Sequence, residues 1–379
     1  MRRALVLGGG GARGAYQAGM LLELVDTQGL DFHVLRGVSV GALNAAFLAQ
    51  APVGRNASES LANLRAQVHA LHDLWAQEIT GNHSVYAARP GGFMAVAAGA
   101  DSLYTVAPLR HLIAEHLSLD ALRASGRDFA VGTVSLVSGR YQEWTPADDD
   151  FVEKLIASAA IPVVFPYVDT GNDVLVDGGV RNITPLSAAF RAHPDELTVL
   201  LTSRVIAEAD GSLPDSAVVA ESHRQWDDNW LGTKVGGLAV LKRVLDILTD
   251  EIYLDDIRGA VRWNRVAREV DRLVAGVPAA DRPTAAERAA AAVLAAMEGV
   301  AKRYVPLAVL APREWYGTDN SATDFSPTFI RAAIAHGRAV AADPSLWLVR
   351  GAGRAGGSAS RRRPARTRSG TPRGRAGGG

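Results

Sequence analysis

Residues 32–49 read FHVLRGVSVGALNAAFLA, and they indicate the fold class more clearly than any other stretch. The first half is rich in valine, leucine and phenylalanine, as buried strands are, and the second half, which apart from Asn44 consists of small and apolar residues, favours a helix. The halves meet at Gly37-Val38-Ser39-Val40-Gly41, a G-x-S-x-G sequence. A strand that turns sharply into a helix at such a serine predicts an α/β fold with a nucleophile at the turn.

The chemistry expected of Ser39 depends on its neighbours in this turn. Gly37 and Gly41 allow the backbone to pass closely on either side of the serine. The start of the following helix offers free N–H groups and a positive dipole end to a developing oxyanion. The alternative interpretation is a structural strand–helix turn, because G-x-S-x-G also arises by chance in a glycine-rich chain.

A glycine-rich loop, GGGGARG at residues 8–14, follows the apolar run at 4–7 and precedes a predicted helix at about 15–25. Its backbone N–H groups suit an anion, either a phosphate or an oxyanion. Residues 9–14 also satisfy G-x-G-x-x-G, so a non-hydrolytic nucleotide-binding protein is an alternative. That function needs an acidic residue at the end of the second strand, where this sequence has GVSVG. Arg13 either orients the loop and offsets negative charge or forms a surface ion pair.

Asp177-Gly178-Gly179 follows the apolar run at 174–176. The carboxylate is therefore predicted at the C-terminal end of a buried strand, at the edge where open α/β sheets bind their ligands. A carboxylate in that position is able to accept a proton from a serine hydroxyl. The alternative interpretation is an ordinary Asp-Gly turn.

Taken together, these segments resemble the patatin-like phospholipase family over about residues 4–205. The glycine-rich loop, the G-x-S-x-G elbow and the D-G-G sequence occur in the family's order. A fourth stretch, Ala157 to Pro162 with Phe165-Pro166, is similar to the family's A-S-x-A-x-P…F-P signature. The resemblance implies a three-layer α/β/α patatin-like fold with a mostly parallel central sheet and an additional helical region.

The resemblance also implies a serine lipid acyl hydrolase, with phospholipid as the favoured substrate. No cluster of ligating residues in the sequence implies a metal or a cofactor. Ser39 would be the nucleophile and Asp177 the proton acceptor of a Ser–Asp dyad. Gly37 and Gly41 would shape the nucleophile elbow, and Gly178 and Gly179 would complete the D-G-G motif. The oxyanion-hole loop would comprise Gly9, Gly10, Gly11, Ala12, Arg13 and Gly14.

A Ser-His-Asp esterase is a further alternative, since His193, His223 and His336 all lie downstream of Asp177. In such esterases the triad follows the order Ser, Asp, His, but their elbow comes after several strands, whereas Ser39 follows only two. We interpret the three histidines as solvated or helix-capping residues. His336-Gly337 is predicted to close the last helix.

The chain divides into four predicted regions. Residues 1–205 form the hydrolase domain, with a hairpin around residues 138–139. Residues 206–303 form a helical insertion or lid, whose stretch 238–248 places Leu241, Val244, Leu245 and Leu248 on one stripe that faces either the core or lipid. Residues 304–349 return to the core with a strand at 305–312 and a helix that begins at Ser326-Pro327. Residues 350–379 are predicted to be disordered, because they have almost no apolar side chains.

Charge separates the tail from the rest of the chain. The whole chain has 40 basic and 40 acidic side chains, but nine arginines and no acidic residue lie in 350–379, so residues 1–349 carry 31 basic against 40 acidic. The balance predicts no nucleic-acid partner. The tail is expected to contact an anionic membrane surface, with nucleic-acid contact, a latch onto the acidic body or no role as alternatives.

Three further properties exclude classes of protein. The sequence contains no cysteine, which excludes disulfides and thiolate metal sites. No apolar run reaches the roughly 18 residues of a membrane span. Only four apolar residues follow Arg2-Arg3, too few for a secretory signal, so a cytoplasmic protein is expected. The sequence gives no indication of the oligomeric state.

Overall fold

The computed structural model describes residues 1–203, 237–285, 288–289, 304–313 and 322–349, and within 237–250 it describes the backbone alone. Three predictions fall outside these residues: His223, the tail 350–379, and the side-chain stripe from Leu241 to Leu248.

A mixed central sheet organises the described residues. Its strands follow the order β10-β9-β1-β2-β5-β8-β7, and β6 also pairs with β5. The five strands from β10 to β5 are mutually parallel, whereas β6, β7 and β8 are antiparallel to their neighbours. A separate antiparallel pair is formed by β3 and β4. The strands are β1 (Arg3–Leu7), β2 (Val34–Val38), β3 (Ala87–Ala88), β4 (Tyr104–Thr105), β5 (Asp128–Ser135), β6 (Tyr141–Trp144), β7 (Val168–Asp169), β8 (Val174–Asp177), β9 (Glu196–Leu200) and β10 (Leu307–Leu310).

Helices cover both faces of the sheet. They are α1 (Gly14–Leu21), α2 (Val40–Ala49), α3 (Ala57–Asp73), α4 (Gly92–Ala97), α5 (Ala107–His116), α6 (Leu119–Ala124), α7 (Phe151–Ser158), α8 (Leu186–Arg191), α9 (Gly237–Ala275) and α10 (Pro327–Ala342). Shorter helical turns are Gly11–Arg13, Leu22–Thr27, Leu74–Glu78, Asn82–Ser84, Gly178–Val180 and Pro344–Leu346.

The alternation of side chains along β1 defines the three layers. Leu5 and Leu7 are buried in a core with α1, α2, α3 and α10 on one face of the sheet. Ala4 and Val6 are buried in a second core with α8 and α9 on the other face. A strand that is buried on both faces is typical of the parallel part of an α/β sheet. The prediction of a three-layer α/β/α fold with a mostly parallel sheet is confirmed.

After α9 the chain adds one more strand, β10, to this sheet. The long helix α9 buries Tyr253, Leu254 and Ile257 in the second core. Farther along α9, the Asn264 side chain donates to the Val305 carbonyl (2.6 Å) and accepts from the Val305 N–H (2.9 Å). These two bonds fix the chain at the start of β10, which then pairs in parallel with β9. None of the helices in the described ranges has the length and apolar character needed to cross a membrane.

The last helix differs from the prediction at its C-terminal end. Its N-cap is as expected, because the Ser326 side chain accepts from the Phe329 N–H (3.3 Å). However, α10 continues to Ala342, so the prediction that His336-Gly337 closes it is wrong. Gly337 serves close helix packing instead, because a Cβ atom there would collide with the Tyr16 carbonyl of α1.

Candidate active site

Strands β2 and β8 meet end to end along one edge of β5. Gly132 of β5 pairs with Val38 of β2, and the next residue, Thr133, pairs with Asp177 of β8. The hairpin strand β6 pairs with both Gly132 and Thr133, and it therefore occupies the opposite edge of β5. The end of β2 thus abuts the end of the antiparallel β8, and Ser39 comes next to Asp177.

Ser39 lies at the junction of β2 and α2 in an unusual backbone conformation. Its φ is 58° and its ψ is −133°, and α2 begins at the next residue. A positive φ is costly for a residue with a side chain, and such strain clusters at functional sites. Gly41 makes the turn possible, because a Cβ atom there would collide with the Leu7 carbonyl of β1. Ser39 is 5% exposed.

A second serine holds this turn in place. The Ser39 N–H donates to Ser158 Oγ (3.1 Å), and the Ser158 hydroxyl donates to the Gly132 carbonyl (2.7 Å). Two residues later, the Ala160 carbonyl accepts from the Asp177 N–H (3.0 Å). The segment 157–162 therefore ties together the elbow, β5 and β8. The sequence signature drew attention to this segment, but it did not reveal the role of Ser158.

The Ser39 side chain lies beside the Asp177 carboxyl group and favours its ionised form. The Asp177 carboxylate accepts a hydrogen bond from the Gly179 N–H (2.7 Å). Asp177 is only 4% exposed, and burial raises its pKa to about 7, although Ser39 and Gly179 act in the opposite direction. Near neutral pH the carboxyl group is thus present in both protonation states. Gly178 permits the close approach of this turn to β5, because a Cβ atom there would lie 2.5 Å from the Gly132 carbonyl oxygen.

The glycine-rich loop lies directly beside Ser39. A Cβ atom on Gly9 would lie 2.8 Å from the Cβ atom of Ser39, so only glycine fits there. Several N–H groups of the loop donate within the protein: Gly9 to the Ile183 carbonyl (3.3 Å), Ala12 to that of Ala322 (2.8 Å), and Arg13 to that of Gly10 (3.2 Å). Within the described residues, the N–H groups of Gly10 and Gly11 make no such bond, and both residues have positive φ.

Two sets of buried side chains hold the loop. On one side, Gln17 Nε2 donates to the Gly8 carbonyl (2.8 Å), Asn44 Nδ2 donates to Gln17 Oε1 (2.9 Å), and Trp75 Nε1 donates to Asn44 Oδ1 (3.0 Å). On the other side, the Thr202 and Tyr253 hydroxyls both donate to the Gly9 carbonyl. None of these five residues could be assigned this role from the sequence, since single polar residues in apolar stretches give no signal of it.

Arg13 is buried, so it is not the surface ion pair that was one of its two interpretations. It is 6% exposed, and its guanidinium donates to the Gly10 carbonyl and to Ser203 Oγ, both at 3.4 Å. Arg13 thus braces the loop from within. The next residue, Gly14, brings α1 against the elbow, because a Cβ atom there would collide with the Val40 side chain.

The model of the patatin family, described as patatin-like phospholipase, matches residues 5–190 of this chain. Residues 5–190 belong to the patatin-like phospholipase family. The match covers the glycine-rich loop, Ser39 and Asp177, and it confirms the resemblance inferred from the motifs. It supports a lipid acyl hydrolase in general terms.

Among solved structures, the crystal structure of VipD from Legionella pneumophila is similar to this chain, with a TM-score of 0.33 and 12% sequence identity. The similarity covers 90% of this chain and 66% of the VipD chain, so this chain spans slightly less than two thirds of VipD. A comparison with curated proteins finds no match.

An apolar cavity begins at Ser39 and Gly11 and has about 910 Å³ of empty space, counting the part open to solvent. Side chains of α2, α3, α5 and α7 line it, together with Phe165 and Phe325. Apart from Ser39, Asn44 and His116, the lining side chains are apolar. A cavity of this composition suits a hydrocarbon chain.

The described histidines of the alternative triad do not bond to Ser39 or Asp177. His193 is exposed just after α8. His336 lies within α10, where its Nε2 accepts from the Arg313 N–H (2.9 Å) and its ring packs edge-on against Tyr16. The described part of the patatin domain and its flanking regions also contains no cluster of His, Asp and Glu suited to a metal ion.

Proposed function

We propose that this protein is a serine lipid acyl hydrolase of phospholipase A or lysophospholipase type, with Ser39 and Asp177 as its catalytic dyad. One observation carries the proposal: the register on β5 brings Ser39 next to a buried carboxylate, that of Asp177, whose pKa is raised to about 7. A base with a pKa near neutrality is matched to accepting and returning a proton. The apolar cavity that begins at Ser39 supports the lipid part of the proposal.

In the first half of the reaction, Ser39 Oγ attacks the ester carbonyl carbon while its proton moves to the Asp177 carboxylate. The carbonyl oxygen becomes an oxyanion, which accepts hydrogen bonds from the Gly10 and Gly11 N–H groups. These two amides are assigned because the other loop amides named above already donate within the protein. The intermediate then collapses, the C–O bond to the alcohol breaks, and Asp177 returns the proton to the leaving oxygen.

In the second half, water attacks the acyl-enzyme and transfers one proton to Asp177. The oxyanion forms again at the same two amides. Collapse breaks the bond between the acyl carbon and Ser39 Oγ, and the serine recovers its proton from Asp177. The fatty acid and the free enzyme are the products, so one ester bond and one water molecule are consumed in each cycle.

Substitution of Ser39 tests this proposal. Ser39→Ala is expected to abolish hydrolysis of p-nitrophenyl esters and phospholipids and to abolish labelling by a fluorophosphonate probe, because the nucleophile is removed from an otherwise packed turn. Ser138→Ala, in the exposed β5–β6 hairpin, is the matched control and should behave like the parent. Labelling that persists in Ser39→Ala, or that maps to another serine, would show that the dyad is wrongly assigned.

We further propose that the basic tail, residues 350–379, holds the enzyme at anionic lipid surfaces. Each basic residue near such a surface contributes about 1 kcal/mol, and salt screens the attraction. Removal of the residues after Arg350 should leave hydrolysis of soluble p-nitrophenyl butyrate unchanged and reduce rates on anionic vesicles only, less so at high salt. Equal rates on anionic vesicles with and without the tail would contradict this proposal.

A further inference from the structure

The cavity runs along α2, and its two ends are chemically different. At the near end lie Ser39 and Gly11, beside the first turn of α2. Val40, Leu43 and Phe47 of α2 line its length, at the three- and four-residue spacing of a single helix face. At the far end lies His116, the last residue of α5, whose ring packs against Phe47 with 6.3 Å between ring centroids.

His116 is held at this far end by two contacts. Its Nε2 atom lies 2.7 Å from Glu78 Oε2, so the two side chains form an ion pair when the histidine is protonated. Its carbonyl accepts from Gln50 Nε2 (3.0 Å), immediately after the end of α2. The pair lies at the protein surface, because the side chains of His116 and Glu78 are 27% and 44% exposed. Solvent therefore lies on one side of the pair, and the apolar cavity lies on the other.

We propose that the paired side chains of His116 and Glu78 close the far end of the cavity and set the longest acyl chain that binds in it fully extended. This inference rests on the proposed function, since it takes the cavity from Ser39 as the acyl site. A chain that reaches the pair must bend back or separate the two polar groups. A hydrocarbon gives neither group a hydrogen bond in return, so separation loses their mutual contact, a loss that water reduces because both side chains are partly exposed.

The geometry gives an approximate chain length. From Ser39 to Phe47 the helix advances eight residues, or about 12 Å at roughly 1.5 Å per residue. An extended hydrocarbon with bonds of about 1.5 Å advances roughly 1.25 Å per carbon, so about ten carbons reach the ring of Phe47. Each added methylene that is buried strengthens binding roughly fourfold. The preference should therefore rise with chain length to about ten carbons and then stop rising.

The test compares alkyl fluorophosphonates with butyl, octyl, dodecyl and hexadecyl chains by their rate of Ser39 labelling. In His116→Ala the end is opened while the backbone bond to Gln50 is retained. The ratio of the hexadecyl to the octyl rate should rise about tenfold relative to the parent, a size typical of discrimination by apolar pockets. Glu78→Gln keeps the shape of the side chain and removes its charge, and it should shift the same ratio by a smaller factor.

Two further variants sharpen the result. His111→Ala is the matched control, because His111 lies on α5 and faces the exposed Glu115 at 3.6 Å without lining the cavity. Its length profile should equal that of the parent. Leu43→Trp fills the cavity one turn from Val40, so it should lower the ratio of the octyl to the butyl rate.

The outcomes separate the two proposals. A parent protein that no probe labels at Ser39 overturns the proposed function and this inference with it. Labelling at Ser39 with the same length profile in the parent, His116→Ala and Glu78→Gln overturns the inference and leaves the dyad standing. A rise of the hexadecyl ratio in His116→Ala that does not occur in His111→Ala supports the His116–Glu78 pair as the limit on chain length.

Discussion

Two carboxyl groups of this molecule, those of Asp177 and Asp256, have similar acidity and different surroundings. Asp177 ends β8 beside the elbow, and Asp256 lies on α9 in the outer helical layer. Burial raises the pKa of each to about 7. Asp177 lies beside the Ser39 hydroxyl and accepts from the Gly179 backbone N–H (2.7 Å), whereas Asp256 Oδ2 accepts from the Thr184 backbone N–H (3.1 Å).

The difference shows what a raised pKa does and does not indicate. A carboxyl group withdrawn from water is harder to ionise wherever it lies, so its acidity alone does not mark a catalytic base. The neighbouring hydroxyl makes the distinction, because a serine hydroxyl gives up its proton during attack on a carbonyl and a backbone amide does not. Asp177 has the Ser39 hydroxyl beside it in addition to a backbone donor, whereas the donor to Asp256 is the Thr184 backbone amide.

The largest expected difference between the two is in activity. Asp177→Asn should lower kcat for ester hydrolysis by about 10³–10⁴, because an amide is unable to take the serine proton. Asp256→Asn, which retains an oxygen that accepts from Thr184, should have nearly the activity of the parent. Both are measured on the same soluble ester.

Equal losses in the two variants would mean that the substitutions act through the fold. Full activity in Asp177→Asn would show that Asp177 is a structural residue of the turn and not the catalytic base. Circular dichroism spectra of both variants, matched to that of the parent, make these outcomes distinguishable from unfolding.

A second difference is expected in stability, where the two carboxyl groups should act alike. The pKa of Asp177 rises from 3.8 to about 7 on folding, so its contribution to the free energy of unfolding is lost as pH rises between these values. Asn does not ionise, and Asp177→Asn should therefore gain up to about 4 kcal/mol over the parent above pH 7, and almost nothing below pH 4. Asp256 is less completely enclosed, so its gain should have the same sign and a smaller size.

Urea unfolding at low, neutral and high pH measures this gain. An increase of the same size at every pH would contradict a titration and would indicate repacking. If both variants are more stable than the parent and only Asp177→Asn is inactive, burial of a charged carboxylate destabilises the fold at both positions, and only the Asp177 carboxylate is needed for catalysis.

Much of the parallel sheet and the identity of the site segments could be predicted from the sequence, because apolar runs and glycine motifs are local signals. The position of Asp177 shows the limit of this approach. The sequence predicts that Asp177 ends a buried strand, and it does. That prediction holds for the carboxyl edge of a parallel sheet, whereas β8 is antiparallel to β5. It reaches Ser39 because β6 occupies the other edge of β5. Four residues, VLVD, do not encode a strand direction.

Contacts between residues far apart in the sequence could not be predicted either. Thr202 and Tyr253 both bond to the Gly9 carbonyl across more than 190 residues of sequence. Gly337 illustrates the same problem in a helix, since its sequence context suggests a C-cap while its neighbour in space, the Tyr16 carbonyl, requires a glycine in mid-helix. Local propensity gives way where another element packs against the backbone.

The smallest expected effect, and the most direct comparison of the two carboxyl groups, is the pH dependence of activity. Only the ionised form of Asp177 accepts a proton, so kcat/KM should fall about tenfold per pH unit well below its pKa and level off above it, with an inflection near 7. Asp256→Asn should retain that inflection, because the group removed does not contact Ser39. An inflection that disappears in Asp256→Asn would assign the titration to α9, and a flat profile from pH 5 to 9 would mean that the base is a group of different acidity. An inflection near 7 that survives in Asp256→Asn would leave Asp177 as the group whose ionisation limits attack by Ser39.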